Sequence, residues 1–425
     1  MKIALIVEYL HERGGTQRQA VELARCLQND GHEITIFSKQ FVQHRCFPEI
    51  NHQLKVLSIT KTETSNNRKH TENRFWQKAT NSLRGMHERF GSNYLSAFKL
   101  IVSSSASLVE LVQKEHQKTR FDLVNSHDFG AAAWAASAIS KILKIPSVWQ
   151  CNDPLLKWEN KTPWTARPFK QWLITEDRRR VSNINRITVL DNTMETVVHR
   201  RYGKQPVVVR SGVDLARFGK LPDKTDARQK LGLPKDKTVI FVLALLNSAH
   251  RRIEDVVEAH ALCPNDVWLL LAAPKVAGGY CSLVEEKIRK SSAENRIRWI
   301  SNELADDKQL SELFGASDIF VYPNTHQTWG LAVIEAAACG LPVVISDGAG
   351  AHEVFVDGEN GIVFRGGSSN SLFEKMLPLV KDTRLRCAIG KNGQAMVRGR
   401  FSWEKYADAM LEIFETETSS YRTIG

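Results

Sequence analysis

The stretch THQTWGLAVIEAAACGLPVVISDGAGAHEVFVDGENG, residues 325–361, decides the fold class. Thr328 reads as an N-cap, and Gly330 to Cys339 reads as a short helix with Leu331, Ile334 and Ala338 on one face. Gly340 supplies a left-handed stop and Pro342 forbids continuation. "PVVIS" follows as a short buried strand, and "DGAGAHEV" as a loop that opens another helix. A helix that starts at a glycine turn presents unpaired N–H groups and a positive dipole end, which suits an anion such as a diphosphate. Glu335 lies about one and a half turns into that helix, near enough to its start to hydrogen-bond a hydroxyl of something bound there. An isolated Glu on such a helix is ordinarily a solvated residue, so spacing alone assigns it nothing.

Outward from this stretch the same rhythm recurs. In the first half strands are expected at Ile3–Val7, Ile34–Phe37, Lys55–Ser58, Leu123–Ser126, Ser147–Gln150, Ile187–Leu190 and Val207–Arg210. In the second half they are expected at Val239–Leu246, Trp268–Ala273, Ile297–Ile300, Ile319–Val321, Val343–Ser346 and Ile362–Phe364. Continuous apolar strands alternating with helices mean parallel sheets covered on both faces. Two such sets, separated near "SGVDLARFGKLPDKTDARQKLGLP", mean two doubly wound, Rossmann-like α/β domains. We expect residues 1–213 and 214–400 as the domains, with 401–425 a helix that returns to the first. The run from Lys61 to Arg89, with seven basic residues against three acidic, reads as an excursion over about 61–90.

Composition bounds the rest. At 425 residues the chain is too long for one ordinary core. It is 42% hydrophobic and 25% charged, as in soluble globular proteins. The start has only five apolar residues before Glu8, too few for a signal peptide, and the stretch around "GAAAWAASAI" is too short to span a bilayer. Seven scattered cysteines without a CxxC pair fit a reducing cytoplasm and argue against structural zinc. No Asp-x-Asp segment follows a strand, so no metal site is expected; Asp306–Asp307 reads as a helix cap. Net charge +11 suits an acidic partner, but the basic residues are dispersed and no nucleic-acid module is present.

In a doubly wound sheet the ligand lies at the carboxyl ends of the strands, and two such domains facing each other make a cleft. "ERGGTQR" follows the first strand, and Gly14 and Gly15 there let backbone approach a ligand. The loop lacks the G-x-G-x-x-G spacing of a nicotinamide site, which disfavours a dehydrogenase.

Taken together these pieces resemble the retaining glycosyltransferases of family 4, whose two facing Rossmann-like domains form the GT-B fold. "GGTQRQAVELARCLQNDGHEITIFS", "FDLVNSHDFGAAAWAA", "VVVRSGVDLARF", "QTWGLAVIEAAACGLPVV", "DGENGIVF" and "FSWEKYADAMLEIFE" look like that family's segments, in its order and over nearly the whole chain. The resemblance implies transfer of a sugar from a UDP- or GDP-linked donor to a hydroxyl of a glycan, lipid-linked or small-molecule acceptor. It implies retention of anomeric configuration, no cofactor and no metal. His127 matches the family histidine near the reacting sugar, Glu335 the residue on the nucleotide ribose, and Gly15 a glycine beside the donor phosphate. Trp329, Gly330 and Leu331 fall at the phosphate-binding helix start. Two departures stand out. Gln327 occupies the position of the first Glu of the Glu-x7-Glu signature, where we expect it to face the donor sugar. In "FVLALLNSAHRRIEDVVEA" Arg252 aligns with the family Lys, but the expected Arg is absent, with Asn247 nearby and His250 or Arg251 as substitutes. The base is expected near the backbone of Trp299 to Ser301.

Two other functions stay open at this level: a sugar-nucleotide epimerase on the same fold, and a nucleotide-sugar binding protein impaired in turnover. Trp149, Trp158, Trp164 and Trp172, with eight basic residues between Lys157 and Arg186, suit an anionic membrane surface at the cytoplasmic face.

Overall fold

The computed structural model describes residues 1–48, 52–61, 94–154, 167–275, 278–302 and 307–424. The expected excursion over 61–90 lies almost wholly outside the described residues, as do Trp158, Trp164 and Asp306.

The chain divides into two compact units, residues 1–210 with 406–425, and residues 211–405. The joints therefore fall at Arg210 and Lys405. Where the chain enters and leaves the second unit, its two segments touch: Val213 N donates to Phe401 O at 3.3 Å, and Val213 pairs with Ser402. A Cβ on Gly212 would lie 2.2 Å from the Ser402 carbonyl carbon, so only glycine allows that crossing.

The first unit contains β1 Lys2–Val7, β2 Tyr9–Leu10, β3 Glu33–Phe41, β4 Lys55–Lys61, β5 Leu123–His127, β6 Ser147–Gln150, β7 Arg186–Val189 and β8 Val207–Val208. All pairings are parallel. Thr35 to Phe37 pair with β1 on one side and β4 on the other, so the order runs β4-β3-β1-β5-β6-β7-β8, with β2 added to β3 beyond the end of β1. The second unit contains β9 Thr238–Leu243, β10 Val267–Ala272, β11 Ile297–Ile300, β12 Ile319–Tyr322, β13 Val343–Ser346 and β14 Ile362–Phe364, in the order β11-β10-β9-β12-β13-β14. Both orders step outward from the first strand, jump back across it, and step outward again. Each sheet thus has a switch point, between β1 and β5 and between β9 and β12, where loops diverge and leave room for a ligand.

The strands are apolar throughout because helices cover both faces: Ile3 to Ile6 and Val239 to Val242 have no exposed surface. Each unit has its own core, one around Trp134, Trp149 and Ile187, the other around Val242, Leu271 and Val344. Trp149 belongs to the first core, donating its indole N–H to the Asp128 carbonyl at 2.6 Å, and so takes no part in the surface expected of it. A buried carboxylate, Asp177, ties two helices to that core by accepting from Trp134 Nε1 and the Tyr202 hydroxyl, both at 2.7 Å. The C-terminal helix Trp403–Ile424 joins the first unit through Arg186–Glu417 at 2.8 Å and Tyr406–Gln150 at 3.4 Å.

Candidate functional site

The second unit assembles the clearer site. The helix that follows β12 runs Leu331–Ala338, one residue shorter at each end than expected. Its N-cap is Gly330 rather than Thr328, with φ +78° and no side-chain cap. Glycine is required at that position, because a Cβ at Gly330 would stand 2.7 Å from the buried Tyr322 hydroxyl. No side chain caps this start, and although Val333 N donates to Gly330 O at 3.1 Å, a helix start of this kind can present backbone N–H groups to an anion. Gly340 provides the left-handed stop at φ +79°, and "DGAGAHEV" ends in a 3₁₀ turn, Gly350–Val354, instead of a full helix.

Loops at the β9 and β12 ends are joined by hydrogen bonds. Arg251, closing the 3₁₀ turn Ala249–Arg251, donates from Nη1 to Gln327 Oε1 at 2.9 Å. Asn324, in the amide orientation that satisfies its neighbours, accepts from the same Nη1 at 3.1 Å and from the Tyr322 hydroxyl at 2.9 Å. The backbone adds Thr325 N to His250 O at 2.8 Å, and Gly350 N to Gln327 O at 2.8 Å. Arg251 and Gln327 therefore meet at the switch point.

Arg252 behaves differently. It sits at the N-cap of the helix Ile253–Ala261 with φ +53°, and its guanidinium turns onto that helix. Nη2 reaches Asp255 Oδ1 at 2.6 Å, Nε reaches Oδ2 at 2.8 Å, and Nη1 lies 3.1 Å from Glu254 Oε1. The side chain expected to meet the donor is neutralised by two carboxylates, while its neighbour Arg251 turns toward Gln327. The left-handed turn at Arg252 sends the two adjacent arginines to different partners.

Trp329 is 1% exposed and packs edge-on against Phe401 at 5.3 Å, so its indole is core and only its backbone can meet a ligand. Leu331 and Glu335 are both partly exposed on the helix, the latter one turn in. Burial, followed by the negative charge of Glu335, pushes the Cys339 thiol up. At the end of β11, the Ser301 carbonyl already accepts from Lys275 N at 3.0 Å, and Trp299 is covered by the Lys275 ammonium 4.7 Å from its ring.

In the first unit, Gly14 is the extended N-cap of the helix Gly15–Asn29, again without a side-chain cap, and Gly15 is exposed. His127 ends β5 opposite Val7 of β1, at that sheet's switch point. It is fully buried, and burial pulls its pKa down to about 3, so the ring is neutral. Asn125 Nδ2 donates to Val148 O at 3.0 Å, which turns Asn125 Oδ1 toward His127 Nε2, also 3.0 Å away. Nε2 then carries the proton, leaving Nδ1 as a buried acceptor with no hydrogen-bond partner among the described residues. The loop after it is strained: Asp128 has φ +78°.

Sequence reasoning missed Glu8, Tyr9 and Lys39 on the same edge. Burial first, opposed by Lys39 and aided by Asp128, raises the Glu8 carboxyl to about 7. Lys39 Nζ contacts the Tyr9 hydroxyl at 3.4 Å and Ser104 Oγ at 2.7 Å. The only hint was a Glu directly after an apolar strand.

Each of the two α/β units thus has a helix start without a side-chain cap beside its sheet's switch point. The model for Glycosyltransferase Family 4 matches residues 13–217, and that for Glycosyl transferases group 1 matches residues 223–396. Among characterised proteins, D-inositol 3-phosphate glycosyltransferase of Rhodococcus jostii is 25% identical over 324 residues, 73% of this chain and 69% of its own. Alpha-maltose-1-phosphate synthase of Mycolicibacterium smegmatis is 24% identical over 312 residues, 69% of this chain and 78% of its own. Among solved structures, HepE of Anabaena in complex with UDP and glucose superposes with a TM-score of 0.75 at 20% identity, covering 98% of this chain and all of that one. Sucrose-phosphate synthase of Thermosynechococcus elongatus gives 0.76 at 17% identity, covering 99% of this chain and 100% of its own. The chain belongs to the group 1/family 4 glycosyltransferases of the GT-B fold, enzymes that move a sugar from a nucleotide-sugar donor to an acceptor.

Proposed function

We propose that the protein transfers its sugar with retention and without a metal ion, holding a UDP- or GDP-linked donor at the carboxyl edge of β9 and β12 and its acceptor on the first unit. The observation that carries this reading is the 2.9 Å Arg251–Gln327 hydrogen bond beside the uncapped start of Leu331–Ala338. The barrier to glycosyl transfer is chiefly departure of the diphosphate, so stabilisation must be aimed at its oxygens. A guanidinium and the helix-start N–H groups supply that positive charge without a metal ion. Glu335, one turn further on, suits two cis hydroxyls of a ribose, since a carboxylate accepts both. An amide at position 327 is a poor nucleophile, which disfavours a double displacement through that residue. The departing diphosphate then takes the acceptor's proton on the face it leaves. His127 contributes Nδ1 as an acceptor for a sugar hydroxyl once the strained Asp128–Gly130 turn gives way.

A glycan, lipid-linked molecule or small molecule serves as acceptor, in the cytoplasm and at an anionic membrane surface. Supporting the last point, the helix Arg167–Arg180 exposes Trp172 (42%) together with Arg167, Arg178 and Arg179. Among the described residues no helix is long and apolar enough to cross a membrane.

Incubating the protein with UDP- and GDP-linked sugars in excess chelator, and measuring released nucleotide and product anomeric configuration, tests the reading. Turnover with an unchanged anomeric configuration is expected. An absolute requirement for manganese or magnesium, or an inverted product, defeats it.

A further inference from the structure

In the first unit, a chain of side-chain hydrogen bonds runs from the end of β6 to the loop after β1, and it has a direction. Gln150 ends β6, beside His127 of β5 on one side and Thr188 on the other. Its amide oxygen accepts twice, from Thr188 Oγ1 at 2.8 Å and from the Tyr406 hydroxyl at 3.4 Å. Two donors on one oxygen settle which end of the amide is which, so Gln150 Nε2 has to donate. It donates to Asn152 Oδ1 at 3.3 Å, and Asn152 Nδ2 passes the direction on to Thr16 Oγ1 at 3.1 Å. Gln150, Thr188, Tyr406 and Asn152 are all buried, whereas Thr16 is partly exposed. Thr16 therefore ends the chain. Its oxygen is used as an acceptor and it makes no other hydrogen bond to the described residues, so its hydroxyl proton points away from Asn152. The residue is second in the helix Gly15–Asn29, whose start has no side-chain cap. A hydroxyl donor thus stands beside backbone N–H groups, and together they suit oxygens that have lone pairs and no proton to give. An aspartate at 152 would have nothing to donate. It would accept from Gln150 Nε2 and from the Thr16 hydroxyl, and so turn that proton inward.

We propose that Asn152 is a positioning residue which, itself oriented by Gln150, fixes the Thr16 hydroxyl as a hydrogen-bond donor to a substrate oxygen at the start of Gly15–Asn29. The oxygen so held is a phosphoryl, carboxylate or ether oxygen, because Thr16 has no proton to receive. The inference rests on the reading above that a substrate binds to the first unit, and it gives the threonine of the Gly-Gly-Thr turn a contact and a direction.

Nucleotide release from a panel of UDP- and GDP-linked hexoses tests this, measured on wild type, Thr16→Val, Thr16→Ser, Asn152→Asp, Asn152→Leu and the Thr16→Val/Asn152→Asp double variant, with thermal melts alongside. Thr16→Val and Asn152→Asp should each lower kcat/KM by about tenfold or more, the first by deleting the donor and the second by turning it inward. The double variant should fall no further than either alone, within about twofold, because without the hydroxyl there is no proton for an aspartate to take. Thr16→Ser keeps the hydroxyl and should keep about half or more of the wild-type kcat/KM. Asn152→Asp retains partners on both sides, so its melting temperature should stay close to wild type. Asn152→Leu loses both hydrogen bonds but cannot capture the Thr16 proton, so it should melt earlier than Asn152→Asp and yet turn over faster. A merely structural asparagine predicts the opposite order of turnover, and that result overturns the inference. Wild-type kcat/KM in Asn152→Asp, losses that multiply in the double variant, or a Thr16→Ser as impaired as Thr16→Val also overturn it, while leaving the transfer reaction standing. A wild type that releases nucleotide from none of the panel overturns the proposed function and the inference together.

Discussion

Adjacent arginines with the same charge are given different tasks by one backbone angle. Arg252 occupies the left-handed region at φ +53°, where a non-glycine residue is strained by about 1–2 kcal/mol. The Asp255 and Glu254 pairs hold it there. Truncating Arg252 to Ala removes the pairs and keeps the strain, leaving the buried Asp255 carboxylate without its bidentate partner. A loss of about 1–3 kcal/mol in urea denaturation is expected, with little change in nucleotide affinity. Arg252→Gly loses the same pairs but relieves the backbone, so it should be more stable than Arg252→Ala by about 1 kcal/mol. Equal stabilities for the two variants would mean the turn is not strained. Glu335 makes a complementary case. If it holds ribose hydroxyls, Glu335→Ala weakens nucleoside and nucleoside diphosphate by the same factor, about tenfold, each losing charge-assisted hydrogen bonds worth about 1.5–3 kcal/mol. Titration showing a loss confined to the diphosphate would move Glu335 away from the ribose.

At the scale of an element, the helix Leu331–Ala338 depends on one missing methyl. Gly330 combines φ +78° with a Tyr322 hydroxyl 2.7 Å from where a Cβ would stand. Gly330→Ala therefore meets two separate penalties, left-handed strain of about 1–2 kcal/mol and a steric clash of similar or greater size. It should lower the melting temperature and displace the helix start, abolishing donor binding. Tyr322→Phe deletes the hydroxyl and leaves the backbone angle untouched. In the double variant the clash term should shrink and the strain term persist, giving a coupling of about 1 kcal/mol or more in a double-mutant cycle. A coupling near zero would show that the hydroxyl is not what excludes a side chain at 330. The cost of Tyr322→Phe alone is also informative, because that hydroxyl supports Asn324, and Asn324 supports Arg251.

For the whole molecule, buried titratable groups set the pH range of stability. Glu8 has its pKa raised to about 7 by burial, against 4.5 for the unburied group. The folded state thus holds a proton that the unfolded state releases between those values, and stability falls as pH rises from 4.5 to 7. His127 and His260 act in the opposite sense. Burial lowers them to about 3 and about 4, so the unfolded chain binds protons below 6.5 that the native state refuses, and stability falls as pH drops below 6.5. Replacing Glu8 by Gln mimics the protonated carboxyl. The variant should exceed wild type in stability near pH 7 by up to about 3 kcal/mol, and the gap should close toward pH 4.5. Denaturation midpoints that differ equally at both pH values would mean the carboxyl does not titrate in this range.

Chain order and apolar spacing were sufficient for the two-domain α/β plan, because a strand buried on both faces must be apolar throughout and a parallel strand must be followed by a crossover. The stretch from Gly330 to Gly340 likewise announced a short helix stopped by Gly340, although its N-cap was expected at Thr328 and is Gly330. The short β2 left no trace in the sequence, since two residues, Tyr9–Leu10, are too few to show a period. The strand ends were legible as places where chemistry collects, but His127, Gln327 and Glu335 were singled out by the resemblance to the family's segments rather than by spacing. What each side chain does there was not legible. Trp149 and Trp329 are aromatic in the sequence and core in the structure, because burial depends on neighbours supplied by distant segments, here the Tyr202 and Phe401 rings. Which of Arg251 and Arg252 turns toward position 327 depends on a left-handed residue and on Asp255, Asn324 and Gln327 arriving together. A hydrogen bond joining residues 76 apart in the chain is a property of the folded loops, and no reading of spacing contains it.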